Sequence, residues 1–131
     1  EVPHEGIFNL LRMTMRGQHI DAFTDIMKHF GSSEFFAQTN LGWSMQYANF
    51  YLQNNKLGAA KKLYQRLAKR FPEHPEPLRG LGEAALGMGN PQQAIAFFRQ
   101  AMSRSEQGTG ANTAALEARL NQLLTTHKEI L

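Results

Sequence analysis

The stretch from Leu78 to Ala101, LRGLGEAALGMGNPQQAIAFFRQA, decides the fold. Leu78, Leu81, Gly82 and Ala85 recur at three- and four-residue steps, as do Ala94, Phe98 and Ala101, so each half lines one face of a helix. Between the halves stand Gly87, Gly89, Asn90 and Pro91. Glycine and asparagine tolerate left-handed backbone at a helix end, and proline suits the first turn of the next helix. The stretch therefore reads as a helical hairpin, with Gly and Ala on its inner faces where the two backbones must approach closely.

Thirty-four positions before Ala94, Phe98 and Ala101 stand Ala60, Tyr64 and Leu67, with Ala48 and Tyr51 in the matching first helix and Pro72 closing the unit. These residues resemble the tetratricopeptide repeat family, whose period is roughly 34 residues and whose signature sets small and large residues at fixed steps. Leu78 and Ala85 stand where the family usually has a large aromatic residue and a tyrosine. The resemblance implies an all-α, helical-hairpin solenoid of about three repeats with a C-terminal capping helix.

Residues 41–72 read as repeat 2, with helices over Leu41–Gln53 and Leu57–Arg70 and a turn at Asn54 and Asn55. Trp43, Tyr47, Tyr51, Tyr64 and Phe71 give that repeat the densest aromatic content. The run FPEHPEP, Phe71 to Pro77, is a stiff connector, because each proline restricts the residue before it. Repeat 3 occupies 76–104. Upstream, residues 4–30 read as a degenerate repeat 1. Its helices put Ile7, Phe8, Leu10, Leu11 and Met15, and then Ala22, Phe23, Ile26, Met27 and Phe30, on their apolar faces. Gly17, Ala22 and Ile26 align there with Gly89, Ala94 and Phe98. Residues 31–40 are an irregular connection that tucks Phe35 and Phe36 against the core. The loop SEQGTG, Ser105 to Gly110, leads to a capping helix within 112–131, started by Asn112 or Thr113. Ala115, Leu116, Leu120, Leu123 and Leu124 face inward on it, and Glu117, Arg119 and Gln122 face outward. All of this makes one helical domain.

Composition narrows the chemistry. With 131 residues, 42% of them hydrophobic, the chain builds one modest core. No apolar run approaches a membrane span, and no signal-peptide pattern is present. Opening at Glu1, the chain reads as part of a longer protein. The absence of cysteine removes disulfides, thiol nucleophiles and thiolate metal sites, and it suits cytoplasm and periplasm equally. The formal charge of +3 is a weak excess.

No catalytic or cofactor pattern emerges. The histidines at 4, 19, 29, 74 and 127 show no pair at metal-ligand helical spacing, so no metal is expected. Ser32 and Ser33 lack the strand–turn–helix setting of a hydrolase nucleophile. Gly80-Leu-Gly82 and Gly87-Met-Gly89 have no preceding strand to form a phosphate loop, and they read as close-packing and stop residues. Lys61, Lys62, Arg66, Lys69 and Arg70 form a basic stripe that the neighbouring helix extends only with Arg99 and Arg104. It reads as a solvated face, and no nucleic-acid partner is expected. The six methionines read as core filling.

The family resemblance implies that the first helix of each hairpin lines a concave groove. The implied positions are Gly42, Met45, Asn49, Leu52 and Gln53 in repeat 2, and Glu76, Arg79, Glu83, Leu86 and Gly87 in repeat 3. Such a set suits a peptide or helix, with Asn49 and Gln53 able to bond a peptide backbone. Chaperone-binding members clamp a terminal carboxylate; this chain keeps Asn49 and Arg79 but has Glu76 and Gly80 where the clamp wants cations, so no chaperone tail is expected. The function implied is a non-catalytic protein-interaction module. Its partner would be another protein or peptide, a second copy of the chain, or a catalytic domain of its own chain.

That last partner comes from a second resemblance. Val2-Pro3-His4-Glu5-Gly6-Ile7-Phe8-Asn9-Leu10-Leu11-Arg12 is similar to a segment of α/β-hydrolase esterases of the esterase D type, where such a run follows the active-site histidine and begins the last catalytic-domain helix. The similarity covers about a dozen residues. It implies that the chain is the C-terminal tail of such an enzyme, with serine, acid and histidine all upstream of Glu1, so that His4, Ser32 and Ser33 inherit no catalytic role.

Overall fold

A computed structural model describes residues 4–30, 39–107 and 113–126. Among these the chain forms seven helices and no strand: α1 (His4–Arg16), α2 (Ile20–Phe30), α3 (Leu41–Gln53), α4 (Leu57–Arg70), α5 (Glu76–Gly87), α6 (Pro91–Gln107) and α7 (Thr113–Thr126). The fold is all-α and built from helical hairpins. It gathers into two compact units, residues 1–44 and residues 45–131, with the boundary inside α3. The expected placements of Phe35, Phe36 and Asn112 lie outside the described residues.

In the larger unit α5 packs against both α4 and α6, and α7 packs against α6. Its core contains the set the small-and-large pattern selects: Ala48, Tyr51, Ala60, Tyr64, Leu67, Leu78, Leu81, Ala85, Ala94, Phe98 and Ala101 are all buried. Gly82 has no side chain because a Cβ there would stand 2.7 Å from Phe98 Cε2. Gly80 repeats the device against the preceding hairpin, where a Cβ would overlap the Tyr64 ring. Tyr64 and Phe98 occupy equivalent places thirty-four residues apart, so α5 receives one aromatic ring from each neighbouring outer helix.

The hairpin turns share one hydrogen-bond pattern. In the third, the amide of Asn90 donates to Ala85 O at 2.9 Å and that of Gly89 to Leu86 O at 3.0 Å, with Gly89 at φ +79°. In the second, Lys56 donates to Tyr51 O and Asn55 to Leu52 O, with Asn55 at φ 60°. Both are Schellman closures, in which one left-handed residue lets two amides satisfy the last carbonyls of the helix. Asn90 then caps α6, its Oδ1 accepting from the Gln93 amide at 3.2 Å. Asn40 Oδ1 does the same for α3 by accepting from the Trp43 amide at 2.9 Å. The connector after α4 is tied down by Arg104 of α6, whose Nη1 donates to Ala68 O at 3.3 Å and His74 O at 3.2 Å.

The smaller unit contains the α1–α2 hairpin, and here the register expected from the sequence is corrected by one residue. The left-handed position is Gln18, at φ 58°, rather than Gly17. His19 donates to Thr14 O and Gln18 to Met15 O in the same closure. Gln18 is thus the counterpart of Gly89, which brings Phe23 and Met27 opposite Ala94 and Phe98. Burial agrees: Phe23 and Met27 are in the core, whereas Ala22 is exposed and Ile26 half-buried. On α1 only Ile7 and Leu11 of the expected stripe are buried, and Leu10 is 43% exposed. Trp43, grouped by sequence with the repeat 2 aromatics, lies in this unit under the Arg12 guanidinium, 4.8 Å from its ring centroid.

On α7, Leu116 and Leu123 are buried as expected. Ala115 is exposed, and Leu120 and Leu124 are half-buried. Arg119 does not point to solvent as the helix pattern suggests, because it reaches a partner on α5.

Candidate functional site

The positions expected to face a groove lie on α3 and α5 and, Gly42 apart, within the larger unit. Both helices bury one face, so the remaining surface is a strip of half-buried and exposed side chains. Met45, Asn49 and Leu52 of α3 are half-buried and Gln53 is exposed. On α5, Glu83 and Leu86 are half-buried and Arg79 is exposed. Of the outlying positions, Glu76 is half-buried, 3.7 Å from His74 Nδ1, while Gly42 and Gly87 are exposed.

Tyr64 is the residue that draws three of these together. Its ring is fully buried and its hydroxyl donates to Asn49 Oδ1. Burial pushes the phenol well above its ordinary value; the Arg79 charge pulls it down and the Glu83 charge pushes it up again. Asn49, Arg79 and Glu83 therefore surround one buried hydroxyl, although they come from two helices. Since the Asn49 carbonyl oxygen accepts from Tyr64, the amide nitrogen keeps two donors at a half-buried position.

Glu83 has a second partner. Arg119 of α7 grips it with both ends of the guanidinium, Nε to Oε2 at 3.2 Å and Nη2 to Oε1 at 2.7 Å, while Nη1 donates to Gln122 Oε1 at 2.9 Å. This bidentate pair neutralises the carboxylate on α5 and pins α7 to that helix. Met45, Leu52, Gln53 and Leu86 are placed on the strip without being tied to this cluster.

Sequence reasoning missed Tyr64 and Arg119 as parts of the site. A signal for Tyr64 was present: a tyrosine where the next repeat has Phe98 brings a hydroxyl into the core, and a buried hydroxyl needs a partner. No local signal marks Arg119, whose partner is thirty-six residues away.

With this geometry in place, comparison with known proteins adds one finding. A tetratricopeptide repeat model matches residues 48–111. Those residues carry tetratricopeptide repeats. The match begins in α3, spans the second and third hairpins and ends before α7. No match was found among curated proteins or solved structures. Tetratricopeptide repeats serve as protein-interaction modules, typically without catalysis of their own. Among the described residues no helix is long and apolar enough to cross a membrane, and no three metal-ligating side chains come together.

Proposed function

We propose that the chain is a non-catalytic docking module whose α3 and α5 strip binds an extended peptide or a helix of a partner protein. The observation that carries this is Asn49, whose carbonyl is engaged by Tyr64 so that its amide hydrogens remain to meet a ligand carbonyl. Arg79 beside it adds a cation, and Met45, Leu52 and Leu86 add apolar contact area. Glu83 serves the fold first, through Arg119. A terminal-carboxylate clamp is disfavoured because position 80 lies against the Tyr64 ring, leaving no room there for the long cation such a clamp needs.

Selection from a displayed peptide library tests the reading. Enriched peptides should bind the whole chain and lose about tenfold in affinity on Asn49→Ala or Arg79→Ala. Enrichment of nothing, or equal binding to both variants, would contradict it.

The esterase resemblance of residues 2–12 supports a second reading, in which the strip docks a catalytic domain of the same polypeptide and shapes access or dimerisation there. In favour of it, residues 4–12 of that segment are helical, lying within α1 (His4–Arg16).

A further inference from the structure

The helix α4 reads LGAAKKLYQRLAKR, with five cations and no carboxylate. Its buried side is Ala60, Leu63, Tyr64, Leu67 and Ala68. On the opposite side Lys62, Arg66 and Lys69 are all exposed and follow one another at i, i+4 and i+7, a single row about 10 Å long.

Ordinary helix electrostatics accounts for only part of this row. Lys69 and Arg70 sit in the last turn, where a cation complements the negative end of the helix dipole. Lys61, Lys62 and Arg66 lie in the middle turns, where that benefit has faded. Lys62–Arg66 and Arg66–Arg70 are like-charged pairs at i, i+4, which work against the helix. Burial, and after it the charge of Arg66, pushes the Arg70 guanidinium below its ordinary value. Glu83 is held by Arg119 and Glu76 lies by His74, and at the two ends of the row Lys62 and Lys69 have no ion pair among the described residues.

We propose that this outer row of α4 is a second docking surface, separate from the α3 and α5 strip, for an acidic helical segment of a partner protein. Carboxylates at i, i+4 and i+7 of such a segment match the spacing of Lys62, Arg66 and Lys69. The row continues towards the helix start through Ala59 and Gly58, where a Cβ would meet nothing within 4 Å, so a partner backbone has room to lie close. A nucleic acid fits less well: the row is one helix wide, Arg104 is spent on the α4 connector, and Phe71 lies beneath Arg70, 4.9 Å from its guanidinium, rather than open for stacking. A membrane surface would want large apolar side chains between the cations, and Gly58, Ala59 and Gln65 are not that.

Titration of the 131-residue chain with a fluorescent polyglutamate peptide tests this, with oligothymidylate and phosphatidylserine vesicles run beside it. Reversal of the row (Lys62→Glu, Arg66→Glu, Lys69→Glu) should weaken the peptide about tenfold, and a charge-matched reversal of Arg16, Lys28 and Arg99 less than about twofold. The single change Lys62→Glu creates an attractive i, i+4 pair with Arg66, so it should weaken the peptide while melting no lower than the parent chain. Asn49→Ala should leave polyglutamate binding unchanged, which separates this surface from the groove. Equal losses in both triple reversals, undiminished binding to Lys62→Glu, or tighter row-dependent binding of the oligonucleotide or vesicles would overturn the proposal.

Discussion

Tyr64 and Gly80 are fitted to one another across the junction of the second and third hairpins: the space a side chain at Gly80 would need is filled by the Tyr64 ring, whose hydroxyl donates to Asn49. Because the ring is fully buried and enclosed, it cannot move aside cheaply. Gly80→Ala should therefore destabilise the chain by about 1–3 kcal/mol in a denaturant titration. Gly58→Ala, on open helix surface, should instead stabilise it by about 0.5 kcal/mol.

Within the third hairpin, Phe98 is the knob against Gly82. Phe98→Ala should cost about 3–5 kcal/mol, since the cavity is walled by buried neighbours. Gly82→Leu should cost about 1–3 kcal/mol by overpacking against the same ring. Losses under about 1 kcal/mol in both would place Phe98 at the surface.

The Tyr64 hydroxyl also sets an alkaline limit. Its folded-state value lies above the ordinary 10.0, so the folded chain holds the proton at a pH where the unfolded chain releases it. The associated stability is complete below pH 10 and declines as pH rises above it. Tyr64→Phe removes that contribution to the alkaline slope and, at neutral pH, costs about 1 kcal/mol for the lost bond to Asn49. Urea titrations on both sides of pH 10 would measure both effects.

Arg119→Ala breaks the bidentate pair with Glu83. Both side chains are about one-third exposed, so solvent screens the pair and the loss should be about 1 kcal/mol or less. A double-mutant cycle with Glu83→Gln should show the coupling shrinking as salt is raised.

The first hairpin shows where sequence pattern reaches its limit. The thirty-four-residue spacing of Ala60 and Ala94, and of Tyr64 and Phe98, made the second and third hairpins legible, because each pair has the same packing job. In the first hairpin Gly17 looked like the left-handed stop, yet that conformation falls on Gln18, and Gly17 lies beneath the His19 ring, where a Cβ would come 2.5 Å from Cδ2. One misplaced glycine shifts the whole register and exchanges Phe23 and Met27 for Ala22 and Ile26. The register correction predicts that Gln18→Gly stabilises the chain by about 1 kcal/mol, by relieving left-handed strain in a side-chain-bearing residue. Arg119 was illegible for a different reason: helix periodicity says which face is apolar, not which long cation bends towards a distant carboxylate.

In the proposed docking mode the second and third hairpins present Asn49 and Arg79 together as one binding strip. Backbone and side-chain amide NMR shifts during titration with a display-selected peptide test it most directly. The largest shifts are expected at Asn49, its side-chain amide included, and at Gln53 and Arg79; shifts confined to α2, α6 or α7 would rule this binding strip out.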